Sequence, residues 1–380
     1  MVVLGAALRV AFLLTKGDAP SFSDTYEYES IALHMLGKVH GATLPRAPLY
    51  PALMALAFLI GGLKNYWAVR WLQLPFGIAL MPIVQRLGER LGGPTAGRLA
   101  GFATAIAPTL VFVSTMLYPT SLYTFILAAI TLAVLGLADA PRSRDAIVLG
   151  VLAVLGWMTD TVIAAPLLAL GIWLLTRVRT SGPALVRALL LVIMTMVALM
   201  TPYQLLRRHE GGSPQAFVEK GQWVLHFART DSTLGANRWV ELPAGERGTT
   251  LPVRGFLRHE VHLLATQPLA YVHDVGFEFL HFFAPVPDRV QTRNQYNRPA
   301  VLAIGAIYFT PVLAFFLLAL LRARERRAPR IALALVVVAT ACFYAMFFTQ
   351  TRYRIPVEPQ MIALAAVGLA PLVERREPAV

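Results

Sequence analysis

Long runs of apolar residues are the feature that most limits what this chain can fold into. Segments 185–200, 301–321 and 331–348 are apolar on every face that a helix could present. Such a helix is stable in lipid rather than at an aqueous surface. Of the 380 residues, 57% are hydrophobic and only 14% are charged, which excludes a set of soluble domains. The sequence therefore predicts an all-α polytopic membrane protein.

About ten segments are apolar enough to cross a bilayer, for which about 20 residues suffice. We predict spans near residues 1–15, 67–85, 99–115, 121–138, 146–158, 161–176, 185–204, 300–321, 331–348 and 359–373. Residues 1–15 are interpreted as a first span rather than a signal peptide, because a basic leading region and a small-residue cleavage site are both missing.

The arginines between the apolar runs indicate orientation. The formal net charge is +13, but no basic helix or aromatic-interleaved patch forms, so no nucleic-acid partner is predicted. The positive-inside rule places the arginine-bearing connections in the cytoplasm. These connections are 86–98, 142–144, 177–187 and 322–330. The connections that we then expect outside are 115–121, 158–161, 205–299 and 349–358.

One short apolar run at 48–63 bears on this orientation. If it crossed the membrane, either 16–47 would lie inside or every arginine-rich connection would lie outside. It begins with prolines and ends in two glycines, which favours an interfacial or re-entrant helix. We therefore expect 16–66 to lie outside, with two helices along the membrane surface.

Three regions follow from this pattern. We predict a transmembrane module at 1–204, an extracytoplasmic segment at 205–299 whose later part is helical and docks on the membrane, and final transmembrane helices at 300–380. The single cysteine, Cys342, lies in an apolar run, so no disulfide or cysteine metal site is expected. The histidines of 205–299 have no spaced acid beside them, and we predict no metal and no cofactor.

The segment after the first span collects acids, tyrosines and an arginine. Asp24 stands before a predicted surface helix, where it could act as a cap or an ion-pair partner. Asp24 and Tyr28, the run IALHML, the motif RAPLYP from Arg46 and the later AVRW with Arg70 together resemble the start of the polyprenyl-phosphate-sugar glycosyltransferases of the GT-C superfold. These include the protein O-mannosyltransferase and aminoarabinose transferase relatives, a glycosyltransferase family 39-like group.

The resemblance continues along the chain in the expected order. TPYQLLRRHEGG at 201–212 is similar to the family's exit from its seventh span, TQPLAYVHDVGFEFLHFFAPVPDR at 266–289 resembles the helix before the next span, and TRYRIPVEPQ at 351–360 looks like a late motif. The resemblance implies a GT-C-like bundle of about ten transmembrane helices with outward juxtamembrane helices.

The family's chemistry assigns roles to particular residue types. An acceptor hydroxyl must lose a proton as it attacks the sugar, which a carboxylate can accept, and the departing lipid phosphate needs cations, for which arginine offers a two-pronged donor. The resemblance implies Asp24 as the catalytic base. The implied substrate-binding residues are Tyr28, Arg46, Tyr50, Arg70, Asp160, Arg352, Tyr353 and Arg354. Binding of the arginines to lipid headgroups stays open as an alternative.

The sequence departs from the family pattern at two points. Thr120 stands where relatives carry a second outward acid, and Asp160 stands in a turn where relatives carry an arginine and a proline. One hypothesis is that Asp160 supplies the missing acid, and a helix cap is the alternative.

The resemblance implies a glycosyltransferase that moves a hexose or pentose from a polyprenyl-phosphate donor to a protein, lipid or glycan acceptor. We expect it in a membrane, as a bacterial inner (plasma) membrane protein with an extracytoplasmic active site and lipid contacts. A lipid-linked sugar flippase is the alternative, and it would bury charges in the middle of its spans and show paired halves. A relative that binds lipid without catalysis is a third possibility.

Overall fold

The structure is a computed structural model, described here for residues 1–17, 24–40, 46–209, 253–288, 299–322, 327–347 and 349–374. These residues form helices and their connections, with no β-strand among them. The all-α prediction is confirmed for this part of the chain.

Fourteen α-helices occur in the described ranges. They are α1 Val2–Leu14, α2 Asp24–Met35, α3 Leu49–Gly61, α4 Tyr66–Gly92, α5 Pro94–Ile106, α6 Pro108–Val113, α7 Thr120–Asp139, α8 Ser143–Trp157, α9 Ala164–His209, α10 Val253–Thr266, α11 Pro268–Phe282, α12 Pro299–Leu321, α13 Arg327–Ala345 and α14 Glu358–Glu374. Short 3-10 turns at Thr161–Ile163 and Thr351–Val357 precede α9 and α14.

Seven segments are long and apolar enough to cross a membrane, counting only the described residues. They are Tyr66–Gly92, Thr120–Asp139, Thr161–Val178, Gly182–Leu206, Pro299–Leu321, Ala328–Ala345 and Thr351–Glu374. Helices α1 and α3 are shorter apolar helices. The count of about ten spans is therefore not confirmed, although every predicted span except one coincides with a single helical segment.

That exception is the predicted span 99–115, which is divided between α5 and α6. Ala107 has an extended ψ of 114° and separates the two helices. Pro108 explains the break, because proline has no N–H to donate and disfavours helical geometry in the residue before it. A second interruption lies within α9, where Gly182 takes a positive φ of 66° that L-residues rarely adopt.

Small residues bring the helices of the bundle into close contact. A Cβ added at Gly88 on α4 would lie 2.8 Å from Ala100 Cβ on α5. A Cβ at Gly368 on α14 would collide with the backbone carbonyl of Phe315 on α12. Such positions let backbones approach where side chains would separate them, which is how helices commonly associate in lipid.

The two ends of the bundle differ in their side chains. At one end, Arg90 pairs with Asp139 at 3.7 Å, and Arg330 donates to the carbonyl of Leu91 at 3.5 Å. All of these residues lie in or beside the connections that the arginine pattern assigns to the cytoplasm. The other end gathers the connections around residues 118, 160 and 352, together with α2 and α3.

Helices α2 and α3 pack together against the start of α4. Their shared core includes Tyr28, Tyr50 and Phe58, with Leu117 from the connection before α7. Glu29 is buried and pairs with Lys64 at 2.9 Å, and it also accepts from the hydroxyl of Tyr66. The two helices are therefore fixed to one end of the bundle.

The predicted extracytoplasmic segment 205–299 is described only at 205–209, 253–288 and 299. Its other residues lie outside the described ranges. Its later part is helical, as predicted, in α10 and α11. The connection after α11 is tied to the 3-10 turn before α14, because Thr351 N donates to Asp288 Oδ2 at 2.6 Å. Asp288 also contacts His281 Nε2 at 2.9 Å.

Candidate active site

Asp24 lies in the first turn of α2 and faces two other side chains. Tyr118 donates its hydroxyl to Asp24 Oδ2 at 3.0 Å, and Arg46 Nη2 lies 3.5 Å from the same oxygen. Asp24 Oδ1 has no hydrogen-bond partner among the residues that the structure describes. The positive end of the α2 dipole also favours negative charge at this position. One oxygen is thus held in place while the other is available to a substrate.

Arg46 connects several groups of the site. Its Nε donates to Glu27 Oε2 at 2.6 Å, and its Nη1 donates to the Tyr28 hydroxyl at 3.3 Å. Only 9% of its side chain is exposed. Burial alone would lower the pKa of Arg46, but Tyr28, Glu27 and the other acidic groups outweigh it, and the pKa is raised. Arg46 is therefore a fixed cation.

Three tyrosine rings form an edge-to-face series beneath these charges. The Tyr28 centroid lies 5.4 Å from that of Tyr50 and 5.7 Å from that of Tyr118. The hydroxyl of Tyr50 donates a hydrogen bond to the buried Gln73 Oε1 at 3.1 Å. Burial raises the pKa of both Tyr28 and Tyr118. The phenols are therefore neutral at physiological pH and can donate hydrogen bonds.

Arg352 approaches the site from the 3-10 turn before α14. Its guanidinium carbon lies 5.4 Å from the Tyr353 ring centroid, and the charge of Asp24 acts on it. The side chain is exposed, and within the described ranges it forms no ion pair with a carboxylate. The Tyr353 ring stacks on Tyr344 of α13 with 4.4 Å between centroids. Arg352 is thus an exposed cation that interacts with Tyr353 and lies within electrostatic range of Asp24.

Asp160 lies in the connection between α8 and α9. Its Oδ1 accepts from Val162 N at 3.0 Å, so Asp160 caps the 3-10 turn Thr161–Ile163, as one of the two interpretations of the sequence predicts. Its side chain is only partly exposed, and burial raises the pKa of its carboxyl. Asp24 and Asp160 both lie within electrostatic range of Tyr28. Asp160 can therefore cap the turn with one oxygen and still act on the groups of the candidate site.

Arg354 and Arg70 lie apart from this arrangement. Arg354 pairs with Glu358 at 3.2 Å, donates to the carbonyl of Ala284 at 2.7 Å, and is 2% exposed. Arg70, also 2% exposed, donates to the carbonyl of Gly17 at 2.8 Å and contacts the Trp67 ring. Both are inside the protein and hold chain segments together.

The structure therefore unites most of the predicted site residues. Direct contacts join Asp24, Arg46, Tyr28 and Tyr50. The electrostatic range of these groups also includes Asp160, Arg352 and Tyr353. Four further members were not predicted from the sequence, namely Glu27, Tyr118, Tyr123 and Tyr344. Glu27 follows Asp24 by three residues on the same helix, which is a signal that could have been used.

No group of three or more histidine, cysteine, aspartate or glutamate side chains that could hold a metal converges in the described part of the chain. Among the histidines of 205–299, the side chain of His259 lies outside the described residues.

Comparison with known proteins bears on the family and the fold. Residues 45–207 match the family model of dolichyl-phosphate-mannose-protein mannosyltransferases. No curated protein sequence matches the chain.

Two solved structures share the fold. One is ArnT from Cupriavidus metallidurans bound to undecaprenyl phosphate, with a TM-score of 0.58, 16% identity, and coverage of 97% of this chain and 60% of ArnT. The other is the oligosaccharyltransferase AglB from Archaeoglobus fulgidus in complex with an inhibitory peptide and a dolichol-phosphate, with a TM-score of 0.60, 16% identity, and coverage of 98% of this chain and 50% of AglB. This chain thus spans between half and three fifths of the length of these proteins.

The resemblance found in the sequence is therefore confirmed: this chain has the fold of the GT-C superfold glycosyltransferases, and its residues 45–207 match the family model of protein mannosyltransferases.

Proposed function

We propose that this protein transfers a sugar from a polyprenyl-phosphate donor to an acceptor hydroxyl or amide at the outer face of the membrane. The observation that carries the proposal is the pairing of an oriented carboxylate with an available cation. Asp24 is fixed through one oxygen by Tyr118 and Arg46, while Arg352 is exposed, lies within electrostatic range of Asp24 and forms no ion pair with a carboxylate in the described ranges. The undecaprenyl phosphate bound to ArnT and the dolichol-phosphate bound to AglB support the choice of donor.

The proposed reaction is a substitution at the anomeric carbon. Asp24 Oδ1 accepts the proton of the acceptor as the acceptor oxygen or nitrogen bonds to that carbon. The bond from the carbon to the phosphate oxygen breaks, and polyprenyl phosphate leaves with the bonding electrons. The guanidinium of Arg352 stabilises the negative charge that forms on the leaving phosphate.

The geometry distinguishes among the arginines suggested by the sequence. Arg354 is neutralised by Glu358 inside the protein, and Arg46 is held by Glu27 and Asp24. Arg352 is exposed and next to the site. We therefore assign the donor phosphate to Arg352, with Arg46 as the residue that positions Asp24.

The outer-face location rests on the arginines at the opposite end of the bundle. Positively charged connections are retained in the cytoplasm, so the end with Asp24 faces outward if Arg90 and Arg330 lie inside. A bacterial plasma membrane and a protein, lipid or glycan acceptor remain part of this proposal.

The test is sugar transfer in membranes that contain the full-length protein and a radiolabelled polyprenyl-phosphate sugar. Arg352→Gln is expected to lower transfer about a hundredfold, because one charged donor to the leaving group is lost. Arg322→Gln is the matched control, since Arg322 is exposed at the arginine-rich end. Movement of the labelled lipid across the bilayer without a glycosidic product would replace the proposal with a flippase.

A further inference from the structure

The connection between α6 and α7 is buried although it is not helical. It begins after Val113, and its residues Ser114 to Leu117 are each at most 3% exposed. We call residues 114–118 the Tyr118 connection. A buried backbone carbonyl needs a hydrogen-bond donor, and outside a helix the following turn does not supply one. The shape of this connection therefore depends on side chains from other helices.

Gln73 of α4 supplies donors to two of these carbonyls. Its Nε2 donates to the carbonyl of Ser114 at 3.1 Å and to that of Met116 at 2.6 Å. Its Oε1 accepts from the Tyr50 hydroxyl at 3.1 Å, and the residue is 1% exposed. Both amide protons of Gln73 are directed at groups that can only accept, so its partners fix the orientation of the amide. Gln73 therefore joins α3 and the Tyr118 connection to α4.

Three more hydrogen bonds continue from the connection to Asp24. The carbonyl of Met116 also accepts from the backbone N–H of Tyr118 at 2.8 Å. Thr25, which is fully buried on α2, donates its hydroxyl to the carbonyl of Leu117 at 3.0 Å. The Tyr118 hydroxyl then donates to Asp24 Oδ2 at 3.0 Å. Since Thr25 follows Asp24 directly, the helix that carries the carboxylate is tied to the same connection as its donor.

A second path leads from Gln73 to Tyr118 through aromatic rings. The Tyr50 ring, whose hydroxyl bonds to Gln73, packs edge-on against Tyr28, and Tyr28 packs edge-on against Tyr118. Edge-to-face packing has a preferred geometry, so each ring restricts the next. The backbone path and the ring path both end at the residue that donates to Asp24.

We propose that Gln73 and Thr25 are positioning residues of the transfer reaction. They hold the Tyr118 connection so that the Tyr118 hydroxyl reaches Asp24, and because both are buried they act on the reaction through Tyr118. This inference rests on the proposed function and adds the residues that orient its base. Orientation matters because a small displacement of a catalytic group lowers the rate strongly.

The experiment is a double-mutant cycle in membranes that contain the full-length protein. The donor is the member of a panel of radiolabelled polyprenyl-phosphate hexoses and pentoses that wild type transfers fastest. Because Tyr118→Phe is expected to lower kcat about tenfold, Gln73→Met is expected to lower it about three- to tenfold, with little change in the KM for the donor. In the Tyr118→Phe background, Gln73→Met is expected to lower kcat no further, since the hydrogen bond on which it acts is already absent.

A second cycle uses Thr25→Val, which keeps the size of the side chain and removes its donor. It is expected to show the same dependence on Tyr118, and it decides the proposal if Gln73→Met does not fold. Gln85→Met is the matched control, because Gln85 is also on α4 and bonds to Glu89 near the arginine-bearing end. It is expected to retain wild-type kcat. Equal factors with and without the Tyr118 hydroxyl would overturn the proposal, because a residue that only stabilises the fold gives that result.

A spectroscopic readout separates this inference from the proposed function. With 3-fluorotyrosine in place of Tyr118, the fluorine NMR signal in detergent is expected to shift or broaden in Gln73→Met and to stay unchanged in Gln85→Met. An unchanged signal in Gln73→Met, with sugar transfer by wild type, would refute the inference alone. A shifted signal without transfer of any donor by wild type would retain the positioning of Tyr118 and refute the proposed function.

Discussion

Removing the hydroxyl of Tyr118 isolates one part of the candidate site. Tyr118→Phe deletes the 3.0 Å hydrogen bond to Asp24 Oδ2 and keeps the ring that packs edge-on against Tyr28. A hydrogen bond to a charged group contributes about 1.5–3 kcal/mol. The Asp24 side chain is 33% exposed, so solvent replaces part of the lost bond, and we take the lower value of about 1.5 kcal/mol.

That value corresponds to about a tenfold lower rate of transfer, since about 1.4 kcal/mol of barrier is a factor of ten. The assay is the initial rate of sugar transfer at saturating donor, with the KM for the donor measured alongside. We expect kcat to fall and KM to change little, because Tyr118 positions the base rather than the phosphate.

Tyr26→Phe is the matched control, because Tyr26 is exposed on α2, the helix that carries Asp24. An unchanged kcat in Tyr118→Phe, or a fall that Tyr26→Phe reproduces, would refute the role given to this hydrogen bond.

Three further predictions concern the scaffold and the second carboxyl group. Arg354→Met leaves Glu358 buried without its cation and should lower stability in detergent by about 3–5 kcal/mol, whereas Arg354→Met combined with Glu358→Leu should recover most of the loss in a thermal unfolding assay. Gly368→Ala places a methyl group against a backbone carbonyl of α12 and should cost about 1–3 kcal/mol, so an unchanged melting temperature would contradict the packing described. Asp160 has a raised pKa in the folded protein, because burial disfavours its charged form. Its favourable contribution to the stability of the fold is therefore complete at acidic pH and is lost as pH rises through that pKa. Asp160→Asn keeps the cap and should therefore gain melting temperature relative to wild type as pH rises from about 4 to 7, and a constant difference would disprove the burial effect.

The sequence predicted the helical bundle well, because apolar runs on every helical face have few alternatives in a membrane. It also proposed Asp24, Arg46 and Arg352 as site residues, because the residue types needed at a phosphate and a leaving sugar are few. In the structure Arg46 contacts Asp24, and Arg352 lies within electrostatic range of it. The break at Pro108 was missed, although proline chemistry explains it directly.

The arginines at 352 and 354 show what a motif leaves undetermined. Residues two positions apart on a helical turn point in different directions, so both side chains cannot face the same site. In the structure, Arg352 is exposed beside Asp24 and Arg354 pairs with Glu358 inside the bundle. Tertiary contacts decide which of the two is available, and no local pattern reports them.

Tyr118 and Tyr123 could not be identified in advance for a related reason. They flank the start of α7, where tyrosines are also expected as ordinary residues of a membrane interface. Tyr118 donates to Asp24, and Tyr123 lies within electrostatic range of Asp160, and both carboxyl groups are distant in the chain. Only the folded arrangement distinguishes a tyrosine that serves a carboxyl group from one that contacts lipid headgroups.

The most direct test of Asp24 as the base is a single-turnover reaction with saturating protein and a labelled polyprenyl-phosphate sugar, comparing wild type with Asp24→Asn. The measured quantities are the rate at which polyprenyl phosphate is released and the dissociation constant of the donor. We predict that Asp24→Asn slows release about 10²- to 10⁴-fold while the donor binds with similar affinity, because the base is lost and Arg352 remains. Release at the wild-type rate by Asp24→Asn would contradict the account.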